Sequence, residues 1–136
     1  MSRVVIDTNV FVSSFFGGLP REIINLWKGG KLTLCLSQEI IDEYLEVLNR
    51  LGLNDRKEIE QLTRLFAEGW NVLYTAKTPR LQVIEADPDD DKFLECAVAL
   101  QSKLIISGDR HLKDLKKYID IEILSPREFI NRYHGL

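Results

Sequence analysis

The chain has 136 residues, 45% hydrophobic and 29% charged, with a net charge of −3 at pH 7. That length suits one compact domain spanning 1–136, because a chain of this size buries roughly two thirds of its unfolded surface. The negative balance excludes a global positive field that would attract nucleic acid, so a polyanionic substrate would have to meet local patches. No apolar run reaches the roughly 18 residues of a membrane span, and MSRVVID lacks the apolar stretch of a signal peptide. Cys35 and Cys96 fit no CxxC or Cys/His spacing and lie among apolar neighbours, as packed thiols of a reducing compartment do. A soluble, unprocessed cytoplasmic protein is the expectation.

Arg3 to Ile6 (RVVI) is a short β-branched run ended by Asp7 and predicts a buried strand. Residues 20–29 (PREIINLWKG) have the spacing of a short amphipathic helix. KLTLCLS at 31–37 predicts a second strand. Ser37 then caps a helix whose stripe is Ile40, Ile41, Tyr44, Leu45, Leu48 and Leu51, with Gly52 as terminator. Asn54 or Asp55 opens the next helix, which carries Ile59, Leu62, Leu65 and Phe66 and ends at Gly69. NVLY (71–74) predicts a weaker strand. Asp87-Pro88 is a cap-plus-first-turn signal for a helix through Gln101. KLIIS (103–107), ended by Gly108-Asp109, predicts another buried strand, with a short helix after it and then IEIL (121–124). Ser125-Pro126-Arg127-Glu128 is a capping box for the last helix. Strands alternating with helices imply an α/β fold: a three-layer α/β/α sandwich around a central, mainly parallel five-stranded sheet, with right-handed crossovers.

In such a sheet, ligands sit outside the carboxyl ends of the strands, where the crossover helices begin. Asp7 and Asp109 each follow a predicted buried strand. The run Asp87, Asp89, Asp90, Asp91 opens a helix, and Glu43 lies in the second turn of another. Acids from four pieces of chain therefore aim at one edge. Carboxylates crowded together raise one another's pKa unless a cation lies between them, and hard oxygen ligands suit Mg²⁺ or Mn²⁺. Each acid also has a plainer explanation. Asp7 and Asp109 suit strand-ending turns. Glu43 shares a solvated helix face with Glu39, Glu46 and Arg50. The 87–91 run complements a helix macrodipole. On a helical wheel Asp90 shares the apolar side of Phe93, Leu94 and Ala97, which puts it over the strand ends. Asp91 turns toward Glu95 and Val98, and Asp89 to the opposite flank, both in solvent, while Asp87 caps.

The motifs VVIDTNV (4–10), SQEIIDEY (37–44), DPDDDKFLECA (87–97) and IISGD (105–109) together resemble the PIN-domain ribonucleases, VapC-like toxins of toxin–antitoxin pairs in particular, over essentially the whole chain. That resemblance implies an acidic quartet at Asp7, Glu43, Asp90 and Asp109, with Asn9 and Ser107 as supporting positions. A one-residue shift in the DPDDD run would make Asp91 the third acid, whereas the spacing to Ala97 favours Asp90. It further implies one or two Mg²⁺ or Mn²⁺ ions held by Asp7, Asp90 and Asp109 with Glu43. It also implies a single-stranded RNA substrate cleaved by metal-activated water, a cognate antitoxin protein as partner, and a homodimer.

Arg110 and Lys113, directly after Asp109, are the best-placed cations to grip an RNA backbone, with Arg21, Lys28 and Lys31 a weaker group. Trp27 and Trp70 are expected in the core, and His111 and His134 in structural or solvent roles. Receiver and dehalogenase-like phosphoryl-transfer domains share an acidic strand-end pocket. The latter wants a second Asp two positions after the first, and Asn9 stands there. A catalytically silent scaffold of the same fold is the remaining alternative.

Overall fold

A computed structural model of the chain describes residues 2–53 and 56–134. Strand β1 (Ser2–Ile6) leads into α1 (Thr8–Ser13), a single 3-10 turn (Ser14–Phe16) and α2 (Gly18–Lys28). There follow β2 (Leu32–Ser37), α3 (Gln38–Arg50), α4 (Lys57–Glu68) and β3 (Val72–Thr75). A long connection and a 3-10 turn at Pro88–Asp90 then precede α5 (Asp91–Ala99), β4 (Leu104–Ile106), α6 (Arg110–Leu115), β5 (Lys117–Tyr118), β6 (Ile121–Leu124) and α7 (Pro126–His134).

The sheet has six strands in the order β3-β2-β1-β4-β6-β5, all parallel except the β5–β6 pair. The expected three-layer α/β architecture is present. The sixth strand is the two-residue β5, paired antiparallel through Lys117↔Glu122 and Tyr118↔Ile121, too short to show any alternation in the sequence. Val4, Val5, Ile6, Leu34, Leu36, Ile105 and Ile106 are completely buried, as strands covered on both faces require. Helix α5 packs over β1, β2 and β4, and α2 lies against β2 and α7.

The start and stop signals mostly act as read. The Ser37 hydroxyl accepts from Ile40 N–H at 3.2 Å, and Ser125 and Glu128 form the reciprocal box at 3.0 and 3.1 Å. Gly69 takes the left-handed conformation (φ 68°) that ends α4 without a Cβ clash. Asn54 and Asp55, expected to open that helix, lie outside the described residues.

Several side chains depart from expectation. Leu45 and Leu51 are 47% and 54% exposed, so the α3 stripe narrows to Ile40, Tyr44 and Leu48. Trp27 is buried, its indole N–H donating to the carbonyls of Trp70 and Asn71, but Trp70 is 42% exposed and bonds outward to the Lys28 carbonyl. The Arg21 guanidinium donates to the Ser14 and Phe15 carbonyls, closing the 3-10 turn, and Lys28 donates to Gln61. Those two cations therefore have structural partners.

Candidate metal centre

The chain reverses direction of growth in the sheet beside β1: β2 and β3 are added on one side, β4 and β6 on the other. Diverging crossovers leave a crevice at the carboxyl ends of β1 and β4. A cleft of about 200 Å³ lies there, lined by Asp7, Thr8, Asn9, Glu43, Asp87, Asp89, Asp90 and Asp109.

Asp7 is buried (3% exposed) at the end of β1. Its backbone N–H reaches Ile106 O of β4 at 3.0 Å, one carboxylate oxygen caps α1 by accepting from Val10 N–H at 2.9 Å, and the other accepts from the Ser107 hydroxyl. Ser107 is fully buried and also accepts from Asp109 N–H at 2.9 Å, so one hydroxyl joins the two strand ends. Asp109 in turn caps α6, accepting from His111 and Leu112 N–H at 2.8 and 3.2 Å. Beneath the cleft, Tyr44 stacks on Phe11 with centroids 4.0 Å apart and donates its hydroxyl to the Ile6 carbonyl, fixing α3 against β1. That holds Glu43, the preceding residue, at the cleft wall.

The electrostatics reflect crowding. Burial pushes the Asp7 carboxyl up to about 6, only partly offset by the Ser107 and Val10 donors, and Asp109 pushes the same way. Burial, then repulsion from Asp109, raises Asp90 to about 8. One Asp90 carboxylate oxygen, Oδ2, is buried with no hydrogen-bond partner, the exception among buried side-chain atoms of the described residues. A buried oxygen without a donor costs free energy unless a cation satisfies it. Asp87, Asp90 and His111 also bring one ligand atom each within 4.8 Å of one another, a grouping suited to a metal ion. Hard carboxylate oxygens dominate the cleft, a donor set that fits Mg²⁺ or Mn²⁺.

The structure thus brings Asp7, Asn9, Glu43, Asp90 and Asp109 to one cleft, with Ser107 beneath. Arg110 and Lys113 are exposed on α6 and do not line it. Three readings of the acidic run are corrected. The helix begins at Asp91 rather than Asp87, because Pro88–Asp90 form a separate 3-10 turn, and the Asp87 side chain makes no cap bond. Asp89 is exposed as expected but borders the cleft. Asp91, expected in solvent, is only 6% exposed and points away from the cleft, accepting from Val83 and Ile84 N–H at 3.2 and 3.0 Å. Glu95 likewise takes Leu81 N–H at 2.8 Å. The two acids pin the connection after β3 to α5, because that segment's amides have no strand to pair with.

Glu43 does not belong to a solvated face. It accepts from the Thr8 hydroxyl and pairs with Lys92 at 2.7 Å. Thr8, Lys92, Asp87 and His111 were not recognised from sequence as members of the site. Thr8 at least sits inside the DTN motif, whereas nothing local marks Lys92, whose partner is 49 residues away.

Comparison with known proteins agrees with this geometry. An uncharacterized protein of Methanocaldococcus jannaschii is 32% identical over 146 residues, covering 96% of this chain and 91% of its own length. Residues 3–111, from the first strand through the Asp109 cap, match the PIN domain family. The chain therefore belongs to the PIN domain family, whose fold is that of metal-dependent nucleases.

Proposed function

We propose that this chain is a divalent-metal-dependent endoribonuclease that hydrolyses single-stranded RNA, acting as the toxin of a toxin–antitoxin pair. The observation that carries the nuclease reading is the unpartnered, buried Asp90 oxygen, whose residue lines one strand-end cleft with Asp7 and Asp109. In this reading Asp7, Asp90 and Asp109 hold Mg²⁺ or Mn²⁺, and Glu43 completes the acidic wall. When bound, such an ion activates a water and offsets charge on the scissile phosphate. Ser107 and the Val10 N–H orient the Asp7 carboxylate, as outer partners of metal ligands do. Asn9, exposed at the cleft rim, is placed to donate to substrate. Arg110 and Lys113, exposed on the helix that Asp109 caps, would offer charge to the RNA backbone. No side-chain nucleophile is needed. The toxin role and the antitoxin and homodimer partnerships rest on the motif resemblance to VapC-like proteins. Among the described residues no helix is long and apolar enough to cross a membrane.

Incubation of the purified protein with end-labelled single-stranded RNA and Mn²⁺ tests the proposal. Cleavage should stop with chelator and in Asp7→Asn; cleavage that persists undiminished in Asp7→Asn refutes the assignment.

A further inference from the structure

Glu43 differs from the other acids of the cleft in what holds it. Its Oε1 is 2.7 Å from the Lys92 ammonium and its Oε2 accepts from the Thr8 hydroxyl, so both oxygens are engaged by side chains of other elements. The pair is well shielded, with the Lys92 side chain 13% exposed and that of Glu43 25% exposed. The pair is a charge-assisted bond between an ammonium and a carboxylate. Asp7 is held instead by neutral donors, a hydroxyl and an amide, which orient a carboxylate without cancelling its charge. The Asp90 Oδ2 has no donor at all. Glu43 thus has its charge met by an ammonium of the protein, whereas no lysine or arginine of the described residues pairs with Asp7, Asp90 or Asp109.

From this asymmetry we propose that Lys92 is a positioning residue: it and Thr8 hold Glu43 outside the coordination of the ion, so that the cleft takes one divalent cation on Asp7, Asp90 and Asp109. The inference rests on the metal-binding reading above. A second ion on Glu43 would have to displace the Lys92 ammonium from that carboxylate and then lie beside it, which repulsion between like charges opposes. Among the described residues no cation other than Lys92 pairs with Glu43, and the nearby Arg80 pairs with Glu39 at 3.3 Å on the exposed surface.

Isothermal titration of the metal-free protein with Mn²⁺, accompanied by thermal melts of each variant, decides the matter. The wild type should bind one equivalent. Glu43→Gln should also bind one, with affinity within about threefold, whereas loss of a true ligand or its immediate support costs about tenfold or more. Lys92→Met should free Glu43 and admit a second equivalent, and Lys92→Met/Glu43→Gln should return to one. Lys92→Arg should match the wild type.

A tenfold loss in Glu43→Gln would make Glu43 a direct ligand and overturn the inference. So would two equivalents in the wild type, or a folded Lys92→Met protein with lowered melting temperature and unchanged stoichiometry, the result for a mere strut between α3 and α5. If Lys92→Met does not fold, the Glu43→Gln and Lys92→Arg titrations still decide. A wild type that binds no Mn²⁺ refutes the metal reading itself and this inference with it, whereas normal binding with a failed Glu43 arm refutes this inference alone.

Discussion

Replacing Asp90 and Asp91, neighbours in sequence, should have opposite consequences. With its pKa raised from 3.8 to about 8, Asp90 of the metal-free protein holds a proton at pH 7 that the unfolded chain has released. At about 1.36 kcal/mol per pH unit between 3.8 and 7, keeping it costs the fold about 4 kcal/mol, and solvent screening at this half-buried side chain reduces that to about 1–2 kcal/mol. Asp90→Asn removes the ionisable group and retains the shape, so the metal-free variant should be more stable than the wild type by about 1–2 kcal/mol at pH 7. The sign follows from linkage. A carboxyl with a raised folded pKa loses stability as pH climbs from 3.8 toward 8, so the variant's advantage should shrink at pH 5.

Asp91 does the reverse, because its Oδ1 satisfies two amides of the segment packed on α5. Asp91→Ala leaves them without that acceptor, at about 1–3 kcal/mol each, and should destabilise by about 2–6 kcal/mol. Urea denaturation in chelator at pH 5 and 7 measures both effects, and Mn²⁺ titration should show binding lost in Asp90→Asn and kept in folded Asp91→Ala. A metal-free Asp90→Asn no more stable than wild type at pH 7, or one that still binds Mn²⁺ normally, would refute the reasoning.

Two further substitutions address the supports of the cleft. Ser107→Ala removes a donor that lowers the Asp7 pKa, so protons should compete with the metal up to higher pH. Mn²⁺ affinity should fall about tenfold near pH 6, and its pH dependence should move upward, as titrations across pH 5.5–8 would show. Tyr44→Phe retains the stack on Phe11 but removes the hydroxyl bond to the Ile6 carbonyl, and should cost about 1–3 kcal/mol in urea denaturation while leaving Mn²⁺ stoichiometry unchanged.

Local chemistry determined much of this protein from sequence alone. β-Branched runs ended by Asp placed β1 and β4, because strands buried on both faces cannot carry polar residues until they end. Ser37 and the Ser125/Glu128 box marked helix starts through bonds spanning three residues, which a linear reading captures. Asp7 and Asp109 were legible as strand-end acids, and the motif likeness to the PIN family is matched by the family found over residues 3–111.

What sequence could not supply depended on segments distant in the chain. The phase of the acidic run failed at Asp91 because the wheel presumed a helix continuous from Asp87 and solvent outside it. Instead a 3-10 turn intervenes, and the connection after β3 crosses there needing acceptors. Glu43 read locally as one of several acids on a wet helix face. Only the packing of α3 beside α5 put Lys92 within 2.7 Å of it. The crevice itself follows from strand order, in which β4 returns to the far side of β1. Side-chain type set which groups could bind a cation, but which of them meet, and which is already neutralised, was decided by the crossing of elements that no local pattern encodes.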